Sequence, residues 1–463
     1  PNAYVNQIFV DQEGNQWFSS PGDGIAVLRD QAFTFYNIWK DDSYNEVSAV
    51  CVDGDTRWFG GRGRIAALRA GGRGPNTYLG TANGLPDDLV TALYVDTQNN
   101  LYIGTETRGL YIKRAGSSWI SPLLVSRNST ENNVNAIDGD GTMLYLATNS
   151  GVCSLNTASR EYSFVTTANG LPHNKINDIL VDSRGVIWIA TLAPGIISLN
   201  SDKQFLISGK PKLEFKTLTE GEDGVIWAGS DRGVFQFDLN RDTLVYYGTD
   251  KGLKSDYTYA IAADPRGNIW AGHRMGMSAI NADRGTVRVY GRESGFNSDV
   301  RNNAVDLTSG GQMLIGSSGG VIQYDVYQAR EDTVAPRLNI KAIDISGVAY
   351  DPDEEIRLKY GKYRIRIDFV GINFMNPDQV RYQYKLDKYE EEWSELSEFS
   401  FAYYGRVEDG NYTFMLQACD GNGNCSVEPL TLDISVKIPI WKAWWFVVSL
   451  VVLVLTVIFA VFK

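Results

Sequence analysis

One short segment recurs along most of this chain. In one copy an apolar strand ends in Asp182, a turn follows on Gly185, and a second strand carries Trp188. Eight copies are recognisable, and they centre on Trp17, Trp58, Tyr102, Tyr145, Trp188, Trp227, Trp270 and Leu314. Successive centres lie 39 to 44 residues apart. A nearly constant spacing of this size indicates a repeat architecture, which limits the chain to the few folds built from such units.

The apolar residues inside each copy are β-branched or aromatic and occur in short runs broken by Gly, Asn or Asp. This pattern predicts strands and not helices. A repeat of about 43 residues holds about four short strands, which is the size of one blade of a β-propeller. Blades that stack in a ring bury their faces and leave few exposed strand edges. The sequence therefore predicts an all-β fold built on a β-propeller.

A second signature precedes several copies. Residues 82–86 and 168–172 both read Ala-Asn-Gly-Leu-Pro, and shorter Gly-Leu or Gly-Phe forms occur at Gly252 and Gly295. A Val- or Ile-rich strand follows, and then a segment close to the pattern Asp-x-x-Gly-x-x-Trp-x-Gly-Thr. This combination resembles the two-component regulator propeller repeat, and the resemblance covers roughly residues 1–326. It implies a propeller that belongs to a bacterial sensor.

Seven of the eight copies lie between Glu46 and about Val326, a number that suits a closed propeller. The resembling sensors often carry two propellers in succession. We therefore predict a complete seven-bladed propeller over residues 46–328. Residues 1–45 are interpreted as the last blade of an upstream propeller, with residues 33–36 as its outer strand. A single ring of eight blades, with residues 1–45 as the first, is the alternative. The absence of an initiator Met indicates a cut inside a longer protein or a processed product.

The chain changes character after the repeats. Polar residues 329–337, with Pro336 among them, predict a linker between domains. Residues 338–438 then alternate apolar and polar side chains in about seven short runs, which predicts an immunoglobulin-like β-sandwich. This region resembles the triple-tyrosine domain that follows such propellers in bacterial sensors. The resemblance rests on Tyr384-Lys385-Leu386, Trp393, Tyr404, Gly410-Asn411-Tyr412, Ala418 and Gly423.

An uncharged run of twenty residues extends from Ala443 to Phe462. At about 1.5 Å per residue, a helix of this length crosses the roughly 30 Å hydrocarbon core of a bilayer. We therefore predict one transmembrane helix over residues 440–462, with Trp441, Trp444 and Trp445 at the membrane interface. The resemblance implies that the helix lies in the bacterial inner membrane. Residues 1–440 would then be periplasmic or otherwise extracytoplasmic.

The four cysteines fall into two classes. Cys419 and Cys425 flank a Gly- and Asn-rich hairpin tip and are candidates for a disulfide in an oxidising compartment. Cys51 and Cys153 lie in apolar strands, so we predict that they are buried and unpaired.

No catalytic motif stands out in the sequence. It contains no Gly-x-Ser-x-Gly, His-Glu-x-x-His or P-loop pattern, and its two histidines, His173 and His273, lie in loops far apart. We therefore predict no enzyme activity, no cofactor and no metal site in this chain. The net charge of −12 argues against nucleic acid as a partner.

A binding site is easier to place. The turns after the central strands share one face of the predicted ring, and they carry the candidate ligand-binding residues Arg62, Arg64, Arg108, Arg232, His273 and Arg274. Guanidinium groups form bidentate hydrogen bonds with carboxylates and sulfates. We therefore predict that this face binds an anionic or hydroxyl-rich ligand such as an oligosaccharide. The alternative is that each arginine pairs with an acidic loop residue of the next blade, such as Asp87, Asp88, Asp256 or Asp299.

Together these features predict the extracytoplasmic, ligand-sensing and signal-transmitting region of a membrane-bound bacterial sensor in two-component signal transduction. The sandwich is expected to form a homodimer and to relay ligand binding through the membrane helix. In the resembling proteins the cytoplasmic output is a histidine kinase, a diguanylate cyclase or a DNA-binding domain, and this sequence contains none of these. Two alternatives come from other classes: a membrane-anchored polysaccharide lyase or hydrolase, and a scaffold for a protein partner.

Overall fold

The structure is a computed structural model. It describes residues 4–22, 24–28, 32–39, 44–71, 77–124, 126, 129–193, 195–201, 204–207, 213–328, 334–352, 354–374, 377–421, 423–442 and 444–462. The chain divides into two compact units. One is Asp30–Arg330, and the other combines Pro1–Arg29 with Glu331–Lys463.

The N-terminal residues of the second of these units form a three-stranded antiparallel sheet. Its strands are β1 (Gln7–Val10), β2 (Gln16–Ser20) and β3 (Gly24–Leu28). Trp17 lies in β2, and its indole N–H donates to the Asp11 carboxylate at 2.7 Å. This sheet is therefore one copy of the repeat that lacks a fourth strand among the described residues.

The unit Asp30–Arg330 contains twenty-eight short strands within the described part of the chain. They are β4 (Phe33–Tyr36), β5 (Ala49–Asp53), β6 (Thr56–Gly61), β7 (Arg64–Arg69), β8 (Thr77–Gly80), β9 (Val90–Val95), β10 (Leu101–Thr105), β11 (Leu110–Lys113), β12 (Ile120–Leu124), β13 (Val134–Gly139), β14 (Met143–Thr148), β15 (Gly151–Asn156), β16 (Tyr162–Val165), β17 (Ile176–Val181), β18 (Ile187–Ala193), β19 (Gly195–Ser198), β20 (Gln204–Leu206), β21 (Leu213–Glu220), β22 (Ile226–Ser230), β23 (Gly233–Asp238), β24 (Thr243–Tyr247), β25 (Ala260–Ala263), β26 (Asn268–His273), β27 (Gly276–Asn281), β28 (Thr286–Tyr290), β29 (Val300–Leu307), β30 (Gln312–Ser317) and β31 (Gly320–Asp325).

These strands form seven antiparallel blades in the described residues. In chain order the blades are β5–β8, β9–β12, β13–β16, β17–β20, β21–β24, β25–β28, and β29–β31 together with β4. The first strand of each blade is the innermost. These inner strands contact one another in sequence from β5 to β29, and β29 contacts β5 in turn. The unit is therefore a closed seven-bladed β-propeller.

The repeated Asp and Trp have one structural role. The Trp188 indole N–H donates to the Asp182 carboxylate at 3.0 Å, and Trp270 donates to Asp264 at 2.8 Å. Gly185 turns the chain between them with a φ of 75°, in the left-handed region that glycine adopts at little cost. The carboxylate thus ties the hairpin turn to the large ring that fills the space between blades.

The ring closes through a strand from its N-terminal end. β4 pairs antiparallel with β31, with Val321 opposite Tyr36 and Tyr324 opposite Phe33. The interpretation of residues 33–36 as the outer strand of the first repeat copy was therefore wrong, and the boundary between the units lies near residue 30 and not at residue 45. The reason is energetic: an open blade would leave an unpaired strand edge, which the incoming strand covers.

Phe33 anchors this closing strand. Its side chain is buried, and its ring lies 5.1 Å from Tyr290, 5.2 Å from Phe296 and 4.6 Å from Tyr324, measured between centroids. These aromatic residues come from the sixth and seventh blades and the loop that joins them. Closure therefore depends on both the backbone pairing and one large buried side chain.

The C-terminal part of the other unit is a sandwich of two four-stranded sheets, ordered β33-β32-β35-β37 and β34-β39-β38-β36. Its core includes Phe369, Tyr382, Tyr404 and Phe414. Residues 329–333 of the predicted linker lie outside the described residues. The strands are β32 (Arg337–Ile345), β33 (Val348–Tyr350), β34 (Ile356–Leu358), β35 (Tyr363–Ile372), β36 (Arg381–Leu386), β37 (Phe401–Val407), β38 (Gly410–Cys419) and β39 (Leu430–Val436).

One α-helix follows the sandwich, α1 (Trp444–Val461). Among the helices of the described residues, none has both the length and the apolar character that crossing a membrane requires. The transmembrane helix predicted over residues 440–462 is therefore not confirmed.

Replacing Phe33 by alanine should open the ring. We expect Phe33→Ala to lower the free energy of unfolding by about 3–5 kcal/mol, the usual cost of removing a large buried aromatic side chain. Thr34→Ala, on the exposed side of the same strand, is the matched control and should cost less than about 1 kcal/mol. Urea unfolding followed by tryptophan fluorescence measures both values. Equal effects of the two changes would contradict closure by β4.

Candidate ligand site at the channel mouth

The inner strands of the propeller surround a central channel. A cavity of about 400 Å³ lies among them, lined by residues of all seven inner strands, including Cys51, Tyr94, Asp138, Asp178, Thr217, Ile261 and Asp306. A second cavity of about 270 Å³ opens at the end of the channel where the inner strands begin. We call this second cavity the channel mouth. It is lined by Glu46, Ser48, Leu89, Thr91, Glu106, Asn135, Lys175, Asn177, Lys216, Arg301, Asn302 and Asn303.

A large bulge in β29 separates the mouth from the channel. Val300 pairs with Ser317, and Val305 pairs with Ile315. Between these two pairs β29 advances by five residues and β30 by two, so β29 contains three additional residues. The inner strands of the second to fifth blades contain a shift of one residue at the corresponding place. Asn303 lines both cavities. The bulge therefore carries polar side chains into the ring at a place where the second to fifth blades have a shift of only one residue.

Asn303 spans the opening. Its side-chain amide donates to the carbonyl oxygen of Asn177, on the fourth blade, at 3.1 Å. Its backbone N–H donates to the carbonyl oxygen of Tyr259, on the sixth blade, at 3.1 Å. Its φ of 52° lies in the left-handed region, where Asn is one of the few tolerated side chains. The side-chain oxygen is buried without a hydrogen-bond partner in the described residues, which leaves an acceptor for a bound molecule.

Ion pairs balance the charges of the mouth. Arg301 on the seventh blade lies 2.5 Å from buried Glu46, which precedes the first blade. Lys175 and Lys216 both contact Glu214, at 3.0 and 2.7 Å. Burial raises the pKa of Glu214, but hydrogen bonds from the two lysines outweigh it and bring the value to about 2. The mouth is thus polar and close to neutral.

An aromatic pair borders the mouth. The rings of Tyr257 and Tyr259 lie 4.7 Å apart, and Lys216, a lining residue, lies 5.6 Å above Tyr257. Tyr257 is 37% exposed, so part of this residue is accessible to solvent. Sequence reasoning missed this pair and the bulge. The signals were the sequence Asp256-Tyr257-Thr258-Tyr259 and the run Arg301-Asn302-Asn303 before a predicted inner strand.

The structure separates the predicted arginines into classes. Arg62 lies 3.7 Å from Glu106 of the second blade, and Arg274 lies 3.7 Å from Asp299 at the start of the seventh. These two follow the alternative in which a loop acid of the next blade pairs with the arginine. The two guanidinium groups and the two carboxylates of these pairs are exposed to solvent, so each pair adds little stability.

The other predicted arginines are placed differently. Arg64 packs with its guanidinium carbon 4.5 Å from the centre of the Trp39 ring. Arg108 and Arg232 are exposed, and neither takes part in an ion pair among the described residues. None of the predicted arginines lines the channel mouth. The predicted set therefore surrounds the face of the ring instead of meeting at one point.

His273, also predicted as a ligand residue, lies inside its blade. Its side chain is fully buried, with Nδ1 2.9 Å from the carbonyl oxygen of Tyr257 and Nε2 3.0 Å from the hydroxyl of Ser278. Burial lowers the pKa of His273 to about 4, so the ring is neutral at physiological pH. The ligand-binding role of His273 stays a prediction. The residue ends β26 with its side chain pointing into the blade, and the sequence pattern could not show that direction.

Comparison with known families agrees with this architecture. The Y_Y_Y domain model matches residues 373–437, and the two component regulator propeller model matches residues 84–107 and 170–193. The chain carries two-component regulator propeller repeats and a Y_Y_Y domain.

Solved structures with the same fold come from B. thetaiotaomicron. The extracellular domain assigned to the hybrid two-component system BT3049 aligns with a TM-score of 0.72 at 22% identity, over 94% of this chain and 62% of that one. The extracellular domain assigned to the one-component system BT4673 aligns with a TM-score of 0.54 at 18% identity, over 94% and 63%. A curated relative, histidine kinase P4 of Formosa agariphila, is 31% identical over 90 residues, which are 19% of this chain and 6% of the kinase. The chain thus spans less than two thirds of these relatives.

The tyrosines of the Y_Y_Y domain belong to its core. Tyr404 is buried, its hydroxyl donates to Glu390 at 3.1 Å, and its ring lies 6.5 Å from Tyr384 and 6.4 Å from Phe414. Burial raises the pKa of Tyr404, and the negative charge of Glu390 raises it further. Tyr384 and Tyr404 therefore help to hold the sandwich together.

The same domain contains the cysteine pair named from the sequence. Cys419 and Cys425 are joined in a disulfide that closes the tip after β38. Cys51 and Cys153 are buried free cysteines.

Three aspartates of the propeller channel link neighbouring blades. Asp138, Asp178 and Asp306 each accept a hydrogen bond of 2.7 Å from a backbone N–H of the next inner strand. Burial raises the pKa of Asp178 to about 7, and hydrogen bonds from the backbone N–H groups of Leu218 and Ile179 oppose this only in part. Burial likewise raises the pKa of Asp138 and of Asp306 to about 6. No group of described His, Cys, Asp and Glu residues has an arrangement that could hold a metal ion.

Asp178 should make stability depend on pH. A carboxyl group with a raised native pKa binds its proton more tightly in the folded state, so its contribution is present below about pH 4 and is lost as pH rises toward 7. Asn resembles the protonated acid. We therefore compare the free energy of unfolding of Asp178→Asn with that of the unsubstituted chain. We expect this difference to shift in favour of the variant by on the order of 2–4 kcal/mol from pH 4 to pH 7. Urea unfolding at several pH values measures the difference, and parallel curves would contradict the prediction.

Proposed function

We propose that this chain is the extracytoplasmic part of a membrane-bound bacterial sensor and that its ligand binds at the channel mouth of the propeller. The observation that carries the proposal is the polar cavity formed by the β29 bulge, in a chain that combines two-component regulator propeller repeats with a Y_Y_Y domain. The extracellular domains of BT3049 and BT4673 share this fold, which supports the same location and role.

The chemistry of the mouth favours a hydroxyl-rich oligosaccharide over a strongly anionic one. Asn303 offers a buried carbonyl acceptor, and Asn135 and Asn177 place further amides around it. The lysines and Arg301 are already paired with carboxylates, so they hold less free positive charge for an anion. Tyr257 is partly exposed and offers an aromatic side chain against which a sugar ring can pack.

The mouth can be tested directly. A panel of neutral and uronic oligosaccharides is screened against the full chain, and the hits are titrated by calorimetry. We expect the paired change Asn303→Ala and Tyr257→Ala to weaken binding at least about tenfold, because a buried acceptor and an aromatic stacking surface are lost. A tenfold change corresponds to about 1.4 kcal/mol of binding free energy. The pair Arg108→Gln and Arg232→Gln lies outside the cavity and is the matched control, with unchanged binding.

Three results would contradict this proposal. If the Arg108→Gln and Arg232→Gln variant lost binding and the Asn303→Ala and Tyr257→Ala variant kept it, the ligand would bind at the two arginines and not in the mouth. No binding by any member of the panel would remove the oligosaccharide assignment. Hydrolysis or elimination of a bound oligosaccharide would identify an enzyme instead of a sensor.

The Y_Y_Y sandwich is proposed to form the homodimer that relays the signal. β37 is the edge strand of its sheet, and exposed apolar side chains lie on it and just before it. Leu396 is 54% exposed, Phe399 62% and Tyr403 56%. An exposed apolar edge strand is a template for pairing with another chain, and a second copy presents the same edge.

Dimer formation can be measured by sedimentation equilibrium of the full chain. We expect the paired change Phe399→Ser and Tyr403→Ser to weaken self-association at least about tenfold, because the proposed dimer interface would lose two apolar side chains that it buries. Val427→Ser, at a side chain that is 94% exposed in the loop between β38 and β39, is the control and should leave association unchanged. A monomeric starting protein, or equal effects of both variants, would contradict the proposal.

Membrane attachment through the C-terminal segment completes the proposal. Residues 443–462 carry no charge, and the apolar side chains of α1 from Val448 to Phe459 are about half exposed or more. Side chains of this kind are stable in hydrocarbon and costly in water. The segment would connect the sandwich to a cytoplasmic output domain.

A further inference from the structure

A third cavity lies between the second and third blades, at the opposite end of the strands from the channel mouth. Its lining includes Gln98 and Asn100 from the turn between β9 and β10, and residues 157–160 from the turn between β15 and β16. The first of these turns joins β9 and β10, and the other ends of these two strands lie at Leu89, Thr91 and Glu106 of the mouth. The cavity has a volume of about 320 Å³. We call it the interblade pocket.

The accessible surface of the interblade pocket is mostly polar, with three largely apolar side chains beneath it and two arginines at its edge. Tyr102 and Ile112 are buried and Leu123 is partly buried, and all three form the floor. The exposed guanidinium-bearing side chains of Arg114 and Arg160 lie at the edge. Two like charges that face one cavity repel each other, so an anion bound between them is favoured electrostatically.

No carboxylate of the pocket neutralises these arginines. The Asp96 carboxylate, which Tyr102 contacts, is buried and already accepts four hydrogen bonds of 2.9 to 3.0 Å. The donors are the backbone N–H groups of Gln98 and Asn100, the Asn100 side-chain amide and the Tyr102 hydroxyl. The ion pairs formed by the described residues involve neither Arg114 nor Arg160. Both guanidinium groups therefore retain their donors for a ligand.

Arg160 occupies a backbone position that suits arginine poorly. Its φ is 63°, and it lies four residues after the end of β15 at Asn156. The equivalent positions of the fifth and sixth blades, four residues after Asp238 and Asn281, are Asp242 with a φ of 52° and Gly285 with a φ of 65°. Glycine and Asp adopt this region more readily than a long side chain. The turn itself thus gives no reason for arginine here, whereas the pocket does.

We propose that the interblade pocket binds a small organic anion, with a carboxylate held between Arg114 and Arg160 and an apolar ring or chain on the floor formed by Tyr102, Ile112 and Leu123. Guanidinium groups bind carboxylates through paired, charge-assisted hydrogen bonds. Contact with Tyr102, Ile112 and the partly buried Leu123 adds apolar burial for an organic anion that a simple inorganic anion lacks. This site is separate from the channel mouth and does not depend on the proposed sensor function.

The test uses benzoate as the probe and the full chain as the protein. Saturation-transfer NMR and calorimetry measure its dissociation constant, with benzyl alcohol as the uncharged analogue and inorganic sulfate as competitor. We expect benzoate to bind, benzyl alcohol to bind at least tenfold more weakly, and sulfate to displace benzoate. The paired change Arg160→Gly and Arg114→Gln should weaken benzoate binding at least tenfold.

Folding and net charge are controlled by design. Glycine suits the φ of residue 160, so the Arg160→Gly turn is expected to fold at least as well as the original. The pair Arg241→Gln and Arg284→Gln removes the same charge from the corresponding turns of the fifth and sixth blades and should leave binding unchanged. Absence of benzoate binding, equal binding of benzyl alcohol, or undiminished binding by the Arg160→Gly and Arg114→Gln variant would each overturn the proposal.

Discussion

The pairing of β4 with β31 is the contact on which the propeller depends. Without it the seventh blade would end in an open strand edge, and the aromatic cluster around Phe33 would be exposed between the sixth and seventh blades. A ring that closes with a strand from its own beginning joins both ends of the repeat array, so every blade has two neighbours. The geometry of the channel, its mouth and the interblade pocket all follow from that closure.

Within the closed ring, polar groups are placed where regular repeats would put apolar ones. The inner strands pack closely enough for the channel aspartates to accept backbone N–H groups from the next blade. Desolvation of those carboxylates is the cost, and it appears as their raised pKa values. The bulge in β29 also departs from the repeat, and it converts one end of the channel into a cavity lined by amides. Departures from an otherwise uniform repeat are therefore the informative positions in this propeller.

Much of the fold could be read from the sequence because repeated packing requires repeated residues. Trp188 and Asp182 recur as a pair since the indole needs an acceptor and the turn needs an N–H acceptor, and one carboxylate serves both. The Asx turn, the left-handed Gly185 and the alternating strands are local features, so their signals lie within a few residues. The pairing of Cys419 with Cys425 could likewise be predicted from the sequence, because only a short hairpin tip separates the two residues.

The candidate sites were harder to predict from the sequence because they combine residues that are distant in the chain. The predicted arginines share a topological position, but side-chain partners such as Glu106 and Asp299 decide what each can bind, and His273 points into the blade. Asn303 and Asn177 are 126 residues apart and meet across the ring, and Arg114 and Arg160 share a pocket only because their blades are adjacent. By itself the sequence determined the repeat, the strands and the order of domains, all of which arise from local periodicity. Only the tertiary structure decided where the ring closes and which polar groups face a common cavity, because both depend on contacts that closure creates between distant segments.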